Sequence, residues 1–343
     1  MPKLTDVAAL AGLSPATVSR YLNGRLDLPQ ATRDRIESAI VTLGYRPNLL
    51  ARRLSTGRSE AISLVVPDIA NPFFAEIAGG VGAQARAYGL ALYLTITDGD
   101  PLREAEALRA LADNAVEGMI LATRRPDDGR LAQLLSRHRQ VVLLDEDIPG
   151  APVPGIFAEN AQGARMATQA LIAAGHRDIA MIAGPPGVMS MRERQDGFLQ
   201  AMDAAGLPVP PGRIVAGDYS RAHGRAAGLS LLRGPAPPTA IFATADVIAI
   251  GVIESVRACG LSVPRDLSVT GFDDMEFADL IDPPLTTIRQ PAAQMGLLAV
   301  DRLRDLMAGR PTPPVTRLPV TLIARRSVAA PRPDHSRERG PLP

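Results

Sequence analysis

Residues 13–24 read LSPATVSRYLNG. Ser14 suits a helix N-cap, and Pro15 suits the first helical position, where its missing N–H costs nothing. Asn23-Gly24 supplies the stop. The segment between them buries little. Val18 and Leu22, with Tyr21 beside them, make one narrow apolar stripe, opposite Ser14, Ala16, Thr17, Ser19 and Arg20. A helix this polar, in a chain that is 46% hydrophobic, must face something other than the protein core.

Upstream, Thr5 is placed to cap a helix through DVAALA that Gly12 ends. The second helix can pack on it through Val7, Ala8 and Leu10. Two helices joined by a short glycine-containing turn, the second polar outward, form a helix-turn-helix with its recognition helix exposed. A solvated amphipathic helix in a small bundle gives the same pattern. Downstream, ATRDRIESAIVTLG (31–44) is a third amphipathic helix, with Ile36, Ile40 and Leu43 on one face and Gly44 as terminator.

YRPNLLARRLSTGRS (45–59) follows, with Asn48 able to cap one more short helix ending near Gly57. A helix of about eight residues does not stand alone in water. Arg52, Arg53 and Arg58 suggest that phosphates hold it, and Leu54 is an apolar wedge among cations, suited to a minor groove. A plain charged linker with one incidental leucine is the alternative.

Charge separates these readings. Residues 1–58 carry nine basic and four acidic side chains, a net of +5, which leaves −4 for the rest of a chain whose formal total is +1. A basic head on an acidic body is the footprint of a nucleic-acid-binding module, and together with the cationic segment at 45–59 it points the polar helix to DNA. The single cysteine, Cys259, excludes an internal disulfide framework and fits a reducing cytosol. MPKLTDVAAL has no long apolar core, so no secretory signal is expected. No run of 18 apolar residues occurs. The expected location is cytoplasmic, without membrane.

From about residue 60 the texture changes. Apolar runs (AISLVVP, LALYLTIT, EGMILAT, QVVLLD, then DIAMIAG, RIVAG, TAIFAT, DLSVTGFDD) alternate with helical stretches. Continuous apolar runs predict strands buried on both faces, and helices between them predict parallel βαβ units. The pattern occurs twice, over 60–157 and 158–288, giving two α/β lobes. The helix QPAAQMGLLAVDRLRDLMAG and the strand pair VTRLPVTLIARRSV follow. Residues 329–343, rich in proline and arginine, are expected to be disordered.

The pieces LTDVAALAGLSPATVSRYLNG, YRPNLLARRL, NPFF, GHRDIAMIAGP, RERQDGF, SVTGFDD and PPLTTIRQP stand in unbroken order from about residue 3 to about 328. Together they resemble the lactose-repressor (LacI/GalR) family of bacterial transcription regulators. The resemblance implies an α-helical helix-turn-helix headpiece (1–46), a hinge helix (47–59), and an α/β periplasmic-binding-protein-like core of two doubly wound parallel-sheet lobes. In that core, about 289–316 complete the first lobe and about 317–328 the second. It also implies a homodimer on a palindromic operator in double-stranded DNA, with a sugar or sugar derivative as effector between the lobes. No cofactor or metal is expected. The tail PRPDHSRERGPLP lacks the leucine heptad that makes some members tetramers, and the first-lobe faces and the helix near 290–308 are the expected dimer contacts.

By the same resemblance Pro15, Ala16 and Arg20 face base edges, and Ser14, Thr17 and Ser19 hold phosphates. Thr5, Asn23, Asn48, Ala51 and Arg52 complete the DNA set, and Leu54 is the intercalating leucine. Arg20 can reach guanine O6 and N7 in bidentate fashion. Pro15 and Ala16 offer no side-chain donor or acceptor, so direct readout is thin and DNA shape and bending carry more of the specificity.

Ligands bind open α/β sheets beyond the carboxyl ends of the strands. Phe73, Phe74, Asp145, Asp273, Arg192, Arg194 and Tyr219 sit at or after such ends. Carboxylates, arginine and aromatic faces are what a sugar needs. The resemblance singles out Arg194 and Asp273, then Asp246. Helix capping for Asp145 and Asp273, and a surface ion pair for Arg192, are the competing roles. Ala245 before the Asp of ATAD, and Glu159-Asn160 in the second lobe's first turn, depart from the pattern of many sugar-binding members and leave the ligand open.

An enzyme is the main rival class. GVGAQA (80–85) matches a dinucleotide fingerprint but lies inside a helical stretch beginning near Pro72, so Gly80 and Gly82 read as helix-packing glycines. GPPG lacks the Lys-Ser/Thr of a phosphate loop, no G-x-S-x-G occurs, and the four histidines have no metal-ligand spacing. A secreted solute-binding protein would share the core but not the basic head. A corepressor-dependent regulator of non-sugar metabolism is the other alternative.

Overall fold

The computed structural model describes residues 2–23, 26–45, 59–126 and 128–332. The expected hinge helix lies outside them, and with it Asn48, Ala51, Arg52 and Leu54. The chain divides into two compact units, Met1–Glu60 and Ala61–Pro343.

In the first unit, α1 (Leu4–Ala11), α2 (Pro15–Leu22) and α3 (Gln30–Leu43) enclose a small core of Val7, Ala8, Ala11, Val18, Ile36 and Ala39. Tyr21, Leu22, Ile40 and Leu43 pack partly buried around it. Thr5 is not the cap of α1. The helix starts earlier, with Lys3 as cap residue, whose N–H donates to the Asp6 carboxylate at 2.7 Å. Leu10 is 54% exposed: at 100° per residue it falls outside the stripe of Val7, Ala8 and Ala11. Ser14 caps α2, its hydroxyl accepting from Thr17 N–H at 3.1 Å, with Pro15 at the first turn. Gly12 and Gly44 end α1 and α3 in the left-handed conformation.

In the second unit one lobe holds a six-stranded parallel sheet. Its members are β1 (Ala61–Val66), β2 (Ala91–Ile96), β3 (Gly118–Leu121), β4 (Val141–Leu144), β5 (Gly155–Ala158) and β11 (Val315–Leu318), in the order β11-β5-β4-β3-β1-β2. β1, β3, β4 and β5 are buried throughout, as continuous apolar runs require. β2 departs from this. It is an edge strand, and Tyr93, Leu94 and Ile96 are exposed despite the apolar run. β5 gives little sign of itself in the sequence, because GIFA is short and follows a proline-rich turn. The helices of this lobe are α4 (Pro72–Ala87), α5 (Pro101–Ala112), α6 (Arg130–Leu135) and α11 (Ala292–Met307).

The other lobe holds β6 (Ile179–Ala183), β7 (Ile214–Ala216), β8 (Ala240–Ala243) and β9 (Ser268–Thr270), parallel in the order β7-β6-β8-β9. Its helices are α7 (Asn160–Ala173), α8 (Met189–Ala204), α9 (Arg221–Arg233) and α10 (Asp246–Ala258). The expected strand pair at 315–328 does not exist as a pair. β11 joins the first sheet, while β12 (Thr321–Ile323) pairs antiparallel with β10 (Thr287–Arg289). The two strands thus serve different lobes, and the chain crosses between lobes near 159, 290 and 319.

Gly80 fits its role as a packing glycine, because a Cβ there would run into the Ala293 carbonyl of α11. Gly82 does not, since its nearest neighbour, Leu92 Cδ2, would lie at an ordinary 3.7 Å. The tail is ordered further than expected. His176, buried on the second lobe, donates from Nε2 to Ala329 O at 2.9 Å, Ser268 Oγ bonds the same residue, and Arg332 pairs with Asp266 at 3.0 Å. Residues 333–343 lie outside the described set.

Candidate functional site

The head offers one face. Val18 is fully buried, while Ser14, Pro15, Ala16 and Arg20 are exposed and Thr17, Ser19 and Asn23 half-buried. Thr5 is exposed on α1. The hydroxyls of Ser14 and Thr17 pair at 2.8 Å, and Asn23 Nδ2 reaches Ser19 Oγ at 3.5 Å. Tyr21 turns the other way and donates to Glu37 at 3.0 Å, fixing α2 against α3. Arg20 makes no hydrogen bond or ion pair with a described residue, so its fork of donors is free.

The second unit holds a cavity of about 490 Å³, its mouth included, lined by Asn71, Phe73, Phe74, Arg124, Asp145, Glu146, Ser190, Arg194, Tyr219, Ala245, Asp273 and Gln290. Each of these follows the carboxyl end of a strand. Asn71, Phe73 and Phe74 come after β1, Arg124 after β3, and Asp145 and Glu146 after β4. Ser190 and Arg194 come after β6, Tyr219 after β7, Ala245 after β8, Asp273 after β9 and Gln290 after β10. Parallel strands from two lobes therefore aim their exit loops at one volume.

Arg194 is almost fully buried. Its Nε donates to Asn160 Oδ1 at 2.9 Å and its Nη1 to Thr244 O at 2.7 Å, and its guanidinium lies 3.8 Å from the Phe272 ring centroid. These contacts aim the remaining donors. Asp273 is held by its backbone N–H on Ile288 O at 2.8 Å and by Gln290 Nε2 on its Oδ1 at 2.7 Å. Glu146 receives both the N–H and the hydroxyl of Ser190, the former at 3.1 Å, which joins one lobe to the other. Phe73 and Phe74 meet edge to face, centroids 5.2 Å apart. Asp145 and Asp273 have left-handed backbones, φ 71° and 119°. Such conformations cost a non-glycine residue of the order of 1 kcal/mol or more and gather at functional sites.

Burial dominates the electrostatics. It pushes Glu146 up to about 8, with the neighbouring Asp145 charge adding to the effect and the Ser190 bonds opposing it. It raises Asp145 to about 6 and Asp273 to about 7, in both cases against the pull of Arg194. Burial also lifts the Tyr219 phenol to about 12, so it stays a donor.

The structure brings together Phe73, Phe74, Asp145, Arg194, Tyr219 and Asp273. It leaves out two expected residues. Arg192 lies two positions from Arg194, some 200° around α8, and is exposed. Asp246 is buried behind the wall, its carboxylate bonded to Met275 N–H at 2.8 Å and Thr287 hydroxyl at 2.5 Å. Burial, with the Asp273 charge next, keeps it well above the ordinary range. It ties the GFDD turn to β10.

Asn71, Arg124, Glu146, Ser190 and Gln290 are cavity residues that sequence reasoning does not find. Asn71 carries a signal, as a cap before Pro72, and it accepts Phe73 N–H at 3.1 Å. Arg124 carries none. Its loop is set by buried Glu104, which takes Thr123 Oγ1 at 2.6 Å and Arg125 at 2.7 Å. Among the described residues no group of three or more His, Cys, Asp or Glu could hold a metal, and no helix is long and apolar enough to cross a membrane.

Comparison with known proteins places this geometry. Residues 3–48 match the description "Bacterial regulatory proteins, lacI family", and residues 168–328 match "Periplasmic binding protein-like domain". The ribose operon repressor of Escherichia coli (strain K12) is 36% identical over 330 residues, covering 94% of this chain and 98% of that one. The transcriptional regulator CelR–cellobiose complex aligns with a TM-score of 0.73 at 33% identity, over 95% of this chain and all of that one. The lac repressor dimer bound to operator and the anti-inducer ONPF aligns with a TM-score of 0.86 at 28% identity, over 96% and 99%.

Proposed function

Because the chain belongs to the lacI family of bacterial regulatory proteins, we propose that it is a sequence-specific, DNA-binding transcriptional repressor of a sugar-catabolic operon, released or engaged by a sugar-like effector in its cavity. It acts as a cytoplasmic homodimer on a palindromic operator, and it is not an enzyme. The observation that carries the reading is the unburied face of α2, with Arg20 free, in the same chain as a cavity walled by Arg194, Asp273 and three aromatic rings.

In this reading Arg20 takes a guanine edge, Pro15 and Ala16 touch bases by apolar contact, and Thr5, Ser14, Thr17, Ser19 and Asn23 hold the backbone. Asn48, Ala51, Arg52 and Leu54 follow from the family resemblance, Leu54 as the wedge that kinks the centre of the site. The exposed apolar side chains of the edge strand β2 fit a contact between first lobes of two protomers. In the cavity Arg194 and Asp273 bracket effector hydroxyls, and the aromatic rings cover C–H faces.

An effector that binds one lobe arrangement better than the other shifts the balance between operator-bound and free forms. Linkage makes the coupling reciprocal. The test is operator binding by the full chain on fragments from its own genome, with and without sugars. Salt-sensitive binding to one palindromic site, altered by a sugar in the wild type and unaltered in Asp273→Ala, is the expected result. Absence of salt-sensitive duplex binding under every condition would overturn it.

A further inference from the structure

Among the described residues, two acceptors in the cavity wall lack a partner. Asp145 Oδ1 and Gln290 Oε1 are buried without a hydrogen bond, and their residues are 9% and 3% exposed. Unpaired buried acceptors call for donors on whatever fills the space.

The cavity is also closed to anions at the places where anions ordinarily bind. Helix N-termini are ready-made anion sites, and three of them reach this cavity. The start of α4 is occupied by Asn71, whose side chain takes Phe73 N–H. Glu146 occupies the start of α8, on Ser190 N–H. The start of α10 carries Asp246 in its first turn, beside lining residue Ala245. The cations are few and partly engaged. Arg194 spends Nε and Nη1 on Asn160 and Thr244, and Arg124 pairs with Asp68 at 3.6 Å. Against these two stand Asp145, Glu146 and Asp273 in the wall, with Asp246 behind it; burial raises their hold on protons, and above about pH 8 the three wall groups are ionised and oppose an anion. A phosphate of nearly two negative charges needs several free donors and no buried carboxylate.

We propose that the effector of this cavity is non-anionic: a neutral or amine-bearing polyhydroxyl compound without phosphate or carboxylate, whose O–H or N–H groups satisfy Asp145 and Gln290. This rests on the effector reading above. It narrows that reading from sugars and their derivatives to one charge class.

The test uses the full-length wild-type protein and matched pairs: ribose and ribose 5-phosphate, glucose and glucose 6-phosphate, glucose and glucuronate, adenosine and AMP, with glucosamine added. Affinities are measured by titration calorimetry at pH 8.5. In any pair that binds, the uncharged parent is expected to bind at least about tenfold more tightly than its anionic partner. Equal or tighter binding of a phosphate or carboxylate overturns the proposal. Silence from every compound, with operator binding intact, instead overturns the effector reading on which it rests. In Glu146→Gln, which keeps the size of the side chain and removes its charge, the discrimination is expected to shrink about fivefold. A ratio equal to wild type removes the electrostatic explanation.

Discussion

At the residue scale, the cavity wall joins strained backbone to poorly solvated carboxyl groups. Asp145 and Asp273 both follow strand ends with left-handed φ, and both are held well above the ordinary carboxylate range by burial. Glu146 shows the sign of the consequence. Its pKa in the fold, about 8, lies above its ordinary value of 4.5, so the folded chain holds this proton more tightly than the unfolded one. The stability that results is full below about pH 4.5 and is lost as pH rises toward 8. Melting temperature is therefore expected to decline between pH 5.5 and 8, and Glu146→Gln to decline less steeply over the same range. Parallel curves would exclude Glu146 as a source. In the head, Arg20→Ala is expected to weaken operator binding by about 10- to 100-fold, the loss of one bidentate base contact. Anisotropy titration measures this, and Arg20→Lys is not expected to rescue it, because one ammonium cannot replace a planar fork. These residues are legible in part. Asp145, Asp273 and Tyr219 show because they stand just past strand ends, Phe73 and Phe74 because they open the helix after β1, and Arg194, inside α8, through the family resemblance. Arg192 and Asp246 mislead because adjacency along a helix says nothing about which face a side chain takes, and a buried acid can serve the turn beside it rather than the cavity.

Elements are read from periodicity, and periodicity says what a segment is more readily than what covers it. β2 has the run of a doubly buried strand but sits at a sheet edge with Tyr93, Leu94 and Ile96 exposed. VTRLPVTLI has the pattern of a strand pair, yet Pro319 separates two strands that part for different sheets. Adjacent glycines in α4 make a sharper case. Gly79 is exposed, and a methyl group added there would meet nothing within 4 Å, whereas Gly80 lies against the Ala293 carbonyl. Gly79→Ala is expected to stabilise the core by about 0.5–1 kcal/mol through helix propensity. Gly80→Ala is expected to destabilise it by about 1–3 kcal/mol, because two helices must part. Denaturant melts of the two single variants check this, and a shared sign would refute the packing assignment.

Across the whole molecule, charge is divided between the units, +5 over residues 1–58 and −4 over the rest. Operator binding that engages several phosphates per protomer loses about a thousandfold or more between 50 and 200 mM salt. Effector binding to the free protein, governed by a buried cavity, is expected to change little over that range. Filter binding and calorimetry at matched salt separate the two, and comparable salt slopes would contradict the division of labour. This organisation is visible in composition before any strand is placed.

The three crossings near 159, 290 and 319 leave neither lobe a contiguous stretch of gene. A recombination break between about 160 and 318 severs both halves of the sensor at once, and a break elsewhere in 61–328 severs one of them, whereas a break near Glu60 exchanges the reader whole. Evolution can therefore swap the address such a protein recognises in one genetic event, but it must alter what the protein tastes by point substitution, residue by residue around a single inherited basin.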